Sequence, residues 1–192
     1  MKVLVKESPE WAYERLKKQN CTHIKNIREI DYYLDTPDHS LAGGDQAFRI
    51  RISRDITHSE IPERIEVTFK GPKIDKISKT REELGFFVQE NSIDTILNVF
   101  QRLGFSEVFE ISKNRSLWQH PSGTTLSVDL VDQLAPDCYI EAEIISDSLS
   151  DQDQLVRKLM RILCELLDHK GRLQSERRSY LQLAIIRKQT II

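Results

Sequence analysis

The sequence is short of the features that mark several large functional classes. It has three cysteines in 192 residues. Cys21, Cys138 and Cys164 are too few and too scattered to frame a fold with disulfides or to build a thiolate metal knuckle. The net charge is only -2, so no global basic field draws the chain to nucleic acid or to an anionic membrane surface. No apolar run approaches the roughly 20 residues that span a bilayer, and the amino terminus carries no signal peptide. A cytoplasmic protein with neither nucleic acid nor membrane as partner is the expectation. His23, His39, His58, His120 and His169 show no metal-ligand spacing. Gly43-Gly44 is not followed by the Gly-Lys-Ser/Thr of a phosphate loop. There is no internal repeat and no low-complexity run that would signal disorder.

Alternation is what the chain has instead. Hydrophobic residues make up 39% of it, enough for one domain over 1–192 with a real core. A strand sends successive side chains to opposite faces. In Phe48-Arg49-Ile50-Arg51-Ile52 the apolar residues therefore share one face and the arginines the other. From Arg64 to Lys70, Ile65, Val67 and Phe69 oppose Arg64, Glu66, Thr68 and Lys70. Leu126, Val128 and Leu130 oppose Thr125, Ser127 and Asp129, and Ile140, Ala142 and Ile144 oppose Glu141 and Glu143. One strand is mixed, because Phe109 and Ile111 fall on the face of Lys113 and Arg115.

Strand patterns run over Lys2–Lys6, Ile27–Asp35, Phe48–Ile52, Arg64–Lys70, Thr80–Val88, Val108–Trp118, Thr124–Asp132 and Cys138–Ile145. Ser8-Pro9-Glu10 starts a helix reaching about Gln19. Ser92 caps a second helix, with a stripe of Ile93, Ile96, Leu97, Phe100 and Leu103 that stops at Gly104. Ser150 caps a third, striped by Leu155, Leu159, Ile162, Leu163 and Leu166 and ended by His169, Lys170 and Gly171. Leu41 to Asp45 and the basic Lys73–Lys79 read as loops, and Ser179 to Ile186 as a tail apolar enough to dock. About eight strands joined mostly in sequence form an antiparallel meander that can close into a barrel. Periodicity alone leaves two arrangements open: charged faces lining a barrel, or a sheet with its charged face in water.

Several stretches resemble, in order, the motifs of the CYTH family. They are Asp31-Tyr32-Tyr33-Leu34-Asp35-Thr36-Pro37, Phe48-Arg49-Ile50-Arg51, Val67-Thr68-Phe69-Lys70-Gly71-Pro72 and Thr80-Arg81-Glu82-Glu83. Lys113-Asn114-Arg115, Val128-Asp129, Ile140-Glu141-Ala142-Glu143 and Ser179-Tyr180-Leu181-Gln182-Leu183 continue the series. The similarity is to the branch of class IV adenylyl cyclases, in a family that also holds thiamine and inorganic triphosphatases. It implies an α+β fold: a closed eight-stranded antiparallel triphosphate-tunnel β-barrel, with helices packed outside and a hydrophilic interior.

Carried over by position, the resemblance makes Lys6, Arg49, Arg51, Lys70, Arg81, Lys113 and Arg115 the triphosphate ligands. Asp129, Glu141 and Glu143 would hold Mg or Mn, with Glu66 and Glu83 behind them. ATP, thiamine triphosphate or tripolyphosphate would be the small-molecule partner of a monomer or homodimer. The charge chemistry agrees: arginine meets phosphate bidentately and lysine as a point charge, while carboxylates suit a hard divalent ion. An apolar-ligand carrier of lipocalin type is opposed by the inward arginines.

One departure stands out. The family's first strand carries Glu-x-Glu-x-Lys, and here it reads Lys2-Val3-Leu4-Val5-Lys6. Two anionic ligands are lost, and Lys2 would repel a metal ion. The resemblance implies metal-dependent phosphoanhydride chemistry, triphosphatase or adenylyl cyclase-like, and this departure counts against it. The alternative is a non-catalytic triphosphate- or nucleotide-binding module that has lost turnover because of Lys2 and Leu4.

Overall fold

A computed structural model describes residues 1–74, 80–88, 92–145, 151–168 and 175–190. Its elements run β1 (Lys2–Val5), α1 (Pro9–Lys18), β2 (Thr22–Asp35), α2 (Ser40–Gly43), β3 (Ala47–Asp55), β4 (Arg64–Lys70) and β5 (Glu83–Val88). There follow α3 (Ile93–Arg102), β6 (Ser106–Gln119), β7 (Thr125–Val131), a 3-10 turn at Asp132–Leu134, β8 (Cys138–Glu143), α4 (Gln152–Leu166) and α5 (Tyr180–Thr190). None of the described helices is long and apolar enough to cross a membrane.

The eight strands form one antiparallel sheet in the order β1-β8-β7-β6-β2-β3-β4-β5. Two meanders are thus joined along β2 and β6, each 14 residues long. Among the described residues β1 and β5 end the ladder and do not pair with each other, so the barrel stays open along one seam.

Two apolar clusters on the outer face explain the helices. Val3, Val5, Leu126, Val128 and Ile140 pack under Ala12 and Leu16 of α1 and Leu159, Leu163 and Leu166 of α4. Leu34, Phe48, Ile50 and Val67 pack under Ile96 of α3. Ser8 caps α1, its hydroxyl accepting from the Trp11 N–H at 3.3 Å, and Ser92 caps α3 in the same way. Arg15 of α1 donates to the Leu166 carbonyl at 2.6 Å, placing a cation at the negative end of α4.

A third cluster lies on the inner face. Tyr33, Ile111, Val131, Leu134 and Tyr139 meet Tyr180 and Ala184 of α5, with Phe109 packed alongside. The mixed pattern of β6 is thereby resolved. Its Phe109–Ile111 half is floored by α5, and its Lys113–Arg115 half carries charge.

Several boundaries differ from the sequence reading. β2 begins at Thr22, and Leu41–Asp45 contains the short helix α2. β5 starts at Glu83 and not at Thr80: Gly71 N–H still reaches the Glu82 carbonyl at 2.9 Å, but two residues on the Lys73 N–H donates to Asp45 Oδ2 at 3.0 Å instead of to the facing strand. β8 stops at Glu143. Ser150 and His169–Gly171, expected to cap and stop α4, lie outside the described residues, as do residues 75–79 of the basic loop.

Candidate functional site

Strand register brings the charged faces together. Tyr33 lies opposite Arg49, Asp31 opposite Arg51, and Glu29 opposite both Ser53 and Lys113. Arg49 pairs across to Thr68 and Arg51 to Glu66, while Arg115 pairs to Asp129. Lys2 lies opposite Glu141. Lys2, Lys113 and Asp129 are each 0% exposed, and Asp31 is 1% exposed. These groups lie on the inner face, covered in part by α5, whose Tyr180 reaches Asp129 and lies against Lys2. Enclosed charge is tolerable only when paired and hydrogen-bonded, and the pairing here is dense.

At the centre, the Arg51 guanidinium grips Asp31 through both Nε and Nη2, the latter at 2.8 Å, and donates from Nη1 to Glu29 Oε1 at 3.1 Å. Lys113 Nζ donates to Asp31 Oδ2 at 2.9 Å and sits 2.7 Å from Glu29 Oε2, an ion contact without hydrogen-bond alignment. Burial alone would raise the pKa of Glu29, but Arg51, Lys113 and Arg115 outweigh it and bring it down to about 2. For Asp31 burial is likewise overcome, by Arg51, Lys113 and Arg49, and the group is held well below the usual carboxylate range.

Toward β8, Arg115 donates from Nε and Nη2 to the two oxygens of Asp129 at 2.7 and 2.6 Å, and from Nη2 to Glu141 Oε2 at 2.9 Å. The Tyr180 hydroxyl donates to Asp129 Oδ2 at 2.7 Å. Burial, then the charge of Asp129, pushes the Tyr180 phenol well above its ordinary value. Toward β5, Arg49 Nη2 donates to Glu66 Oε2 at 2.9 Å and to Thr68 Oγ1 at 3.2 Å, while its buried Nε has no acceptor among the described residues. Lys70 donates to Glu83 at 2.6 Å. Burial, reinforced by Arg49 and only partly offset by Glu83, lowers the Lys70 amine to about 8.

Of the residues singled out in the sequence, Arg49, Arg51, Lys70, Lys113, Arg115, Glu66, Glu83, Asp129 and Glu141 share this face. Three stand apart. Lys6 lies past the end of β1 and is exposed, Arg81 precedes β5 and is half-buried, and Glu143 is exposed at the end of β8. Sequence reasoning passed over Glu29 and quoted Asp31 only as the start of a motif, although they sit two apart in β2 with the same period as Arg49 and Arg51. Tyr180 was noticed only as part of a tail motif.

The carboxylates do not assemble a divalent-cation site in this arrangement. Both oxygens of Asp129 are engaged by Arg115 and Tyr180, Glu141 is engaged by Arg115, and Glu143 is outside the cluster. Among the described residues no group of three or more His, Cys, Asp or Glu is disposed to hold a metal ion. A cation already stands beside them. Lys2 Nζ lies 3.8 Å from the centre of the Tyr180 ring and 5.2 Å from that of Tyr139, and donates to the Arg178 carbonyl at 2.8 Å.

A CYTH domain family model matches residues 1–180. A Methanocaldococcus jannaschii protein provisionally named an adenylate cyclase, MJ0240, is 33% identical over 170 residues, covering 88% of this chain and 89% of its own. The solved structure of PH1819 from Pyrococcus horikoshii superposes with a TM-score of 0.81 at 32% identity, over 97% of this chain and 99% of that one. HpAC1 from Hippeastrum, described as having a dominant triphosphatase activity, shares the fold at a TM-score of 0.69 and 15% identity, over 97% and 94% of the two chains.

Proposed function

The chain belongs to the CYTH family, and on that premise we propose that its charged tunnel binds a triphosphate-containing anion and carries out phosphoanhydride chemistry on it. Members of the family bind triphosphate substrates and generally use divalent metal ions. Nucleoside triphosphate, thiamine triphosphate and tripolyphosphate all have the required group.

The observation that carries the reading is Arg49. Its Nε–H is buried and lacks an acceptor among the described residues, a state that costs about 1–3 kcal/mol. An anionic oxygen in the tunnel removes that cost. The lining is otherwise balanced, with Lys2, Arg49, Arg51, Lys70, Lys113 and Arg115 facing Glu29, Asp31, Glu66, Glu83, Asp129 and Glu141. A triphosphate of about four negative charges must therefore share cations that carboxylates already hold. Arginine suits that sharing, because its five N–H donors can serve a carboxylate and a phosphate together. Arg49, Arg51 and Arg115 would grip the phosphates, Lys70 and Lys113 would add point charge, and Lys6 and Arg81 would meet only outlying parts of the ligand.

These residues favour charge neutralisation over proton removal. A carboxylate with a pKa near 2, as at Glu29, is a feeble base at neutral pH. Hydrolysis in this tunnel would draw its rate from cations stabilising charge at the phosphates. Cyclisation of ATP, the activity suggested by the name of the M. jannaschii relative, would further need a group to deprotonate the ribose hydroxyl.

A second reading, a binding module with little or no turnover, is favoured by the buried ammonium of Lys2 and by Leu4, where the family carries glutamates. Calorimetric titration with tripolyphosphate tests the common part. Arg49→Ala should weaken binding by about 1–3 kcal/mol, and equal affinity of the two proteins would remove the cradle. Release of phosphate or cyclic AMP, assayed with Mg²⁺ or Mn²⁺, separates the enzyme from the module; binding without turnover at any metal concentration selects the module.

A further inference from the structure

Lys2 is fully buried, and a buried ammonium survives only where neighbours replace its water. Here the neighbours come from the far end of the sequence. Lys2 Nζ donates to the Arg178 carbonyl at 2.8 Å and lies over the Tyr180 ring at 3.8 Å. The Lys2 carbonyl accepts from the Glu176 N–H at 2.7 Å. Tyr180 in turn donates to Asp129, which Arg115 holds together with Glu141, and Glu141 is the register partner of Lys2. The ammonium is thus a fixed positive charge, enclosed at the acidic end of the lining, beside the very carboxylates that would otherwise attract a metal ion.

We infer that Lys2 is a built-in cation of the triphosphate site, so that this chain holds its triphosphate without a divalent metal. The inference rests on the proposed triphosphate binding and adds a residue and a cofactor requirement to it. A lysine in place of a glutamate changes the local charge by two units, the charge of one divalent ion. Its attraction for phosphate acts at short range in a poorly screened enclosure. Unlike a metal, it cannot be chelated away.

The test measures tripolyphosphate binding by calorimetry in excess EDTA and again with Mn²⁺, for the natural chain and for Lys2→Met, with thermal melts reporting the fold. The natural chain should bind in EDTA, and Lys2→Met should bind at least about tenfold more weakly there, the loss of one charge-assisted contact. Binding by the natural chain only when Mn²⁺ is present would overturn the inference, and that measurement needs no variant. Unchanged affinity of folded Lys2→Met in EDTA would overturn it as well, reducing Lys2 to a strut for the Ser175–Tyr180 segment. No binding by the natural chain under either condition would instead remove the triphosphate reading beneath it.

Discussion

Tyr180, the first residue of α5, donates its hydroxyl to Asp129 of β7 at 2.7 Å inside the sheet's charged face. The bond sets a residue from the end of the chain into the candidate site. It also fixes the carboxylate that Arg115 holds from the other side, so that each oxygen of Asp129 already accepts a hydrogen bond.

Tyr180→Phe keeps the ring beneath Lys2 and removes only the hydroxyl. It should lower stability by about 1 kcal/mol, whereas Tyr180→Ala, which also empties a buried volume, should cost about 3–5 kcal/mol. Urea denaturation of the two variants checks the difference; equal costs would mean that the ring contributes nothing.

Lys70 gives the site a pH dependence. Its amine titrates at about 8 in the fold, so it is charged below that pH and neutral above it. Tripolyphosphate affinity should fall as pH rises through about 8, and Lys70→Met should flatten that fall. The ligand's own titration is common to both proteins and drops out of the comparison. Stability moves the other way. The unfolded lysine, at the ordinary 10.5, binds its proton more readily across the interval, so this group's penalty on the fold is relieved as pH rises from about 8. Parallel affinity curves for the two proteins would exclude Lys70 from the site.

Glu29 and Asp31 should act on stability in acid. Both carboxyls are held below their unfolded values. Their contribution is therefore complete above about pH 4.5 and is lost as pH falls toward about 2 at Glu29. Glu29→Gln leaves Arg51 and Lys113 short of a counter-charge and should cost about 3–5 kcal/mol near neutrality. The cost should shrink in acid, where the unfolded chain's carboxyl, at the ordinary 4.5, takes up its proton while the folded one is still ionised. Denaturation curves at about pH 7 and about pH 3 measure this, and a cost independent of pH would mean that the pairing is not electrostatic.

Combining Lys2→Glu with Leu4→Glu restores the family's acidic pair on β1. If the loss of those acids limits metal-dependent chemistry, the double variant should release phosphate from tripolyphosphate faster with Mn²⁺ than the natural chain does. A folded variant with no gain would place the limit elsewhere.

Much of this lining was legible in the residue pattern because alternation reports which face a side chain takes. Phe48, Ile50 and Val67 were placed on the helix side and Arg49 and Arg51 opposite, as β3 and β4 have them. Alternation does not say what covers a face. The apolar half of β6 stayed unexplained until α5, roughly seventy residues further on, was seen to lie against it. Glu29 and Asp31 were given no role in the site for a related reason. Their partners, Arg51 and Lys113, lie on the two strands flanking β2, and only register reveals them. Lys2 could be read as a misplaced cation from sequence, but the carbonyl of Arg178 that anchors it is 176 positions away. The seam between β1 and β5 has no local signature, since it depends on how far the whole sheet curls.

Because β1 pairs with β8 and Lys2 is anchored by Arg178 and Tyr180, the beginning of the chain has no docking place until nearly all of it has been synthesised. A nascent polypeptide on the ribosome would hold its first strand in waiting while the other strands assembled. Premature termination anywhere ahead of Tyr180 would yield a product with an incomplete lining, however well its remaining strands folded.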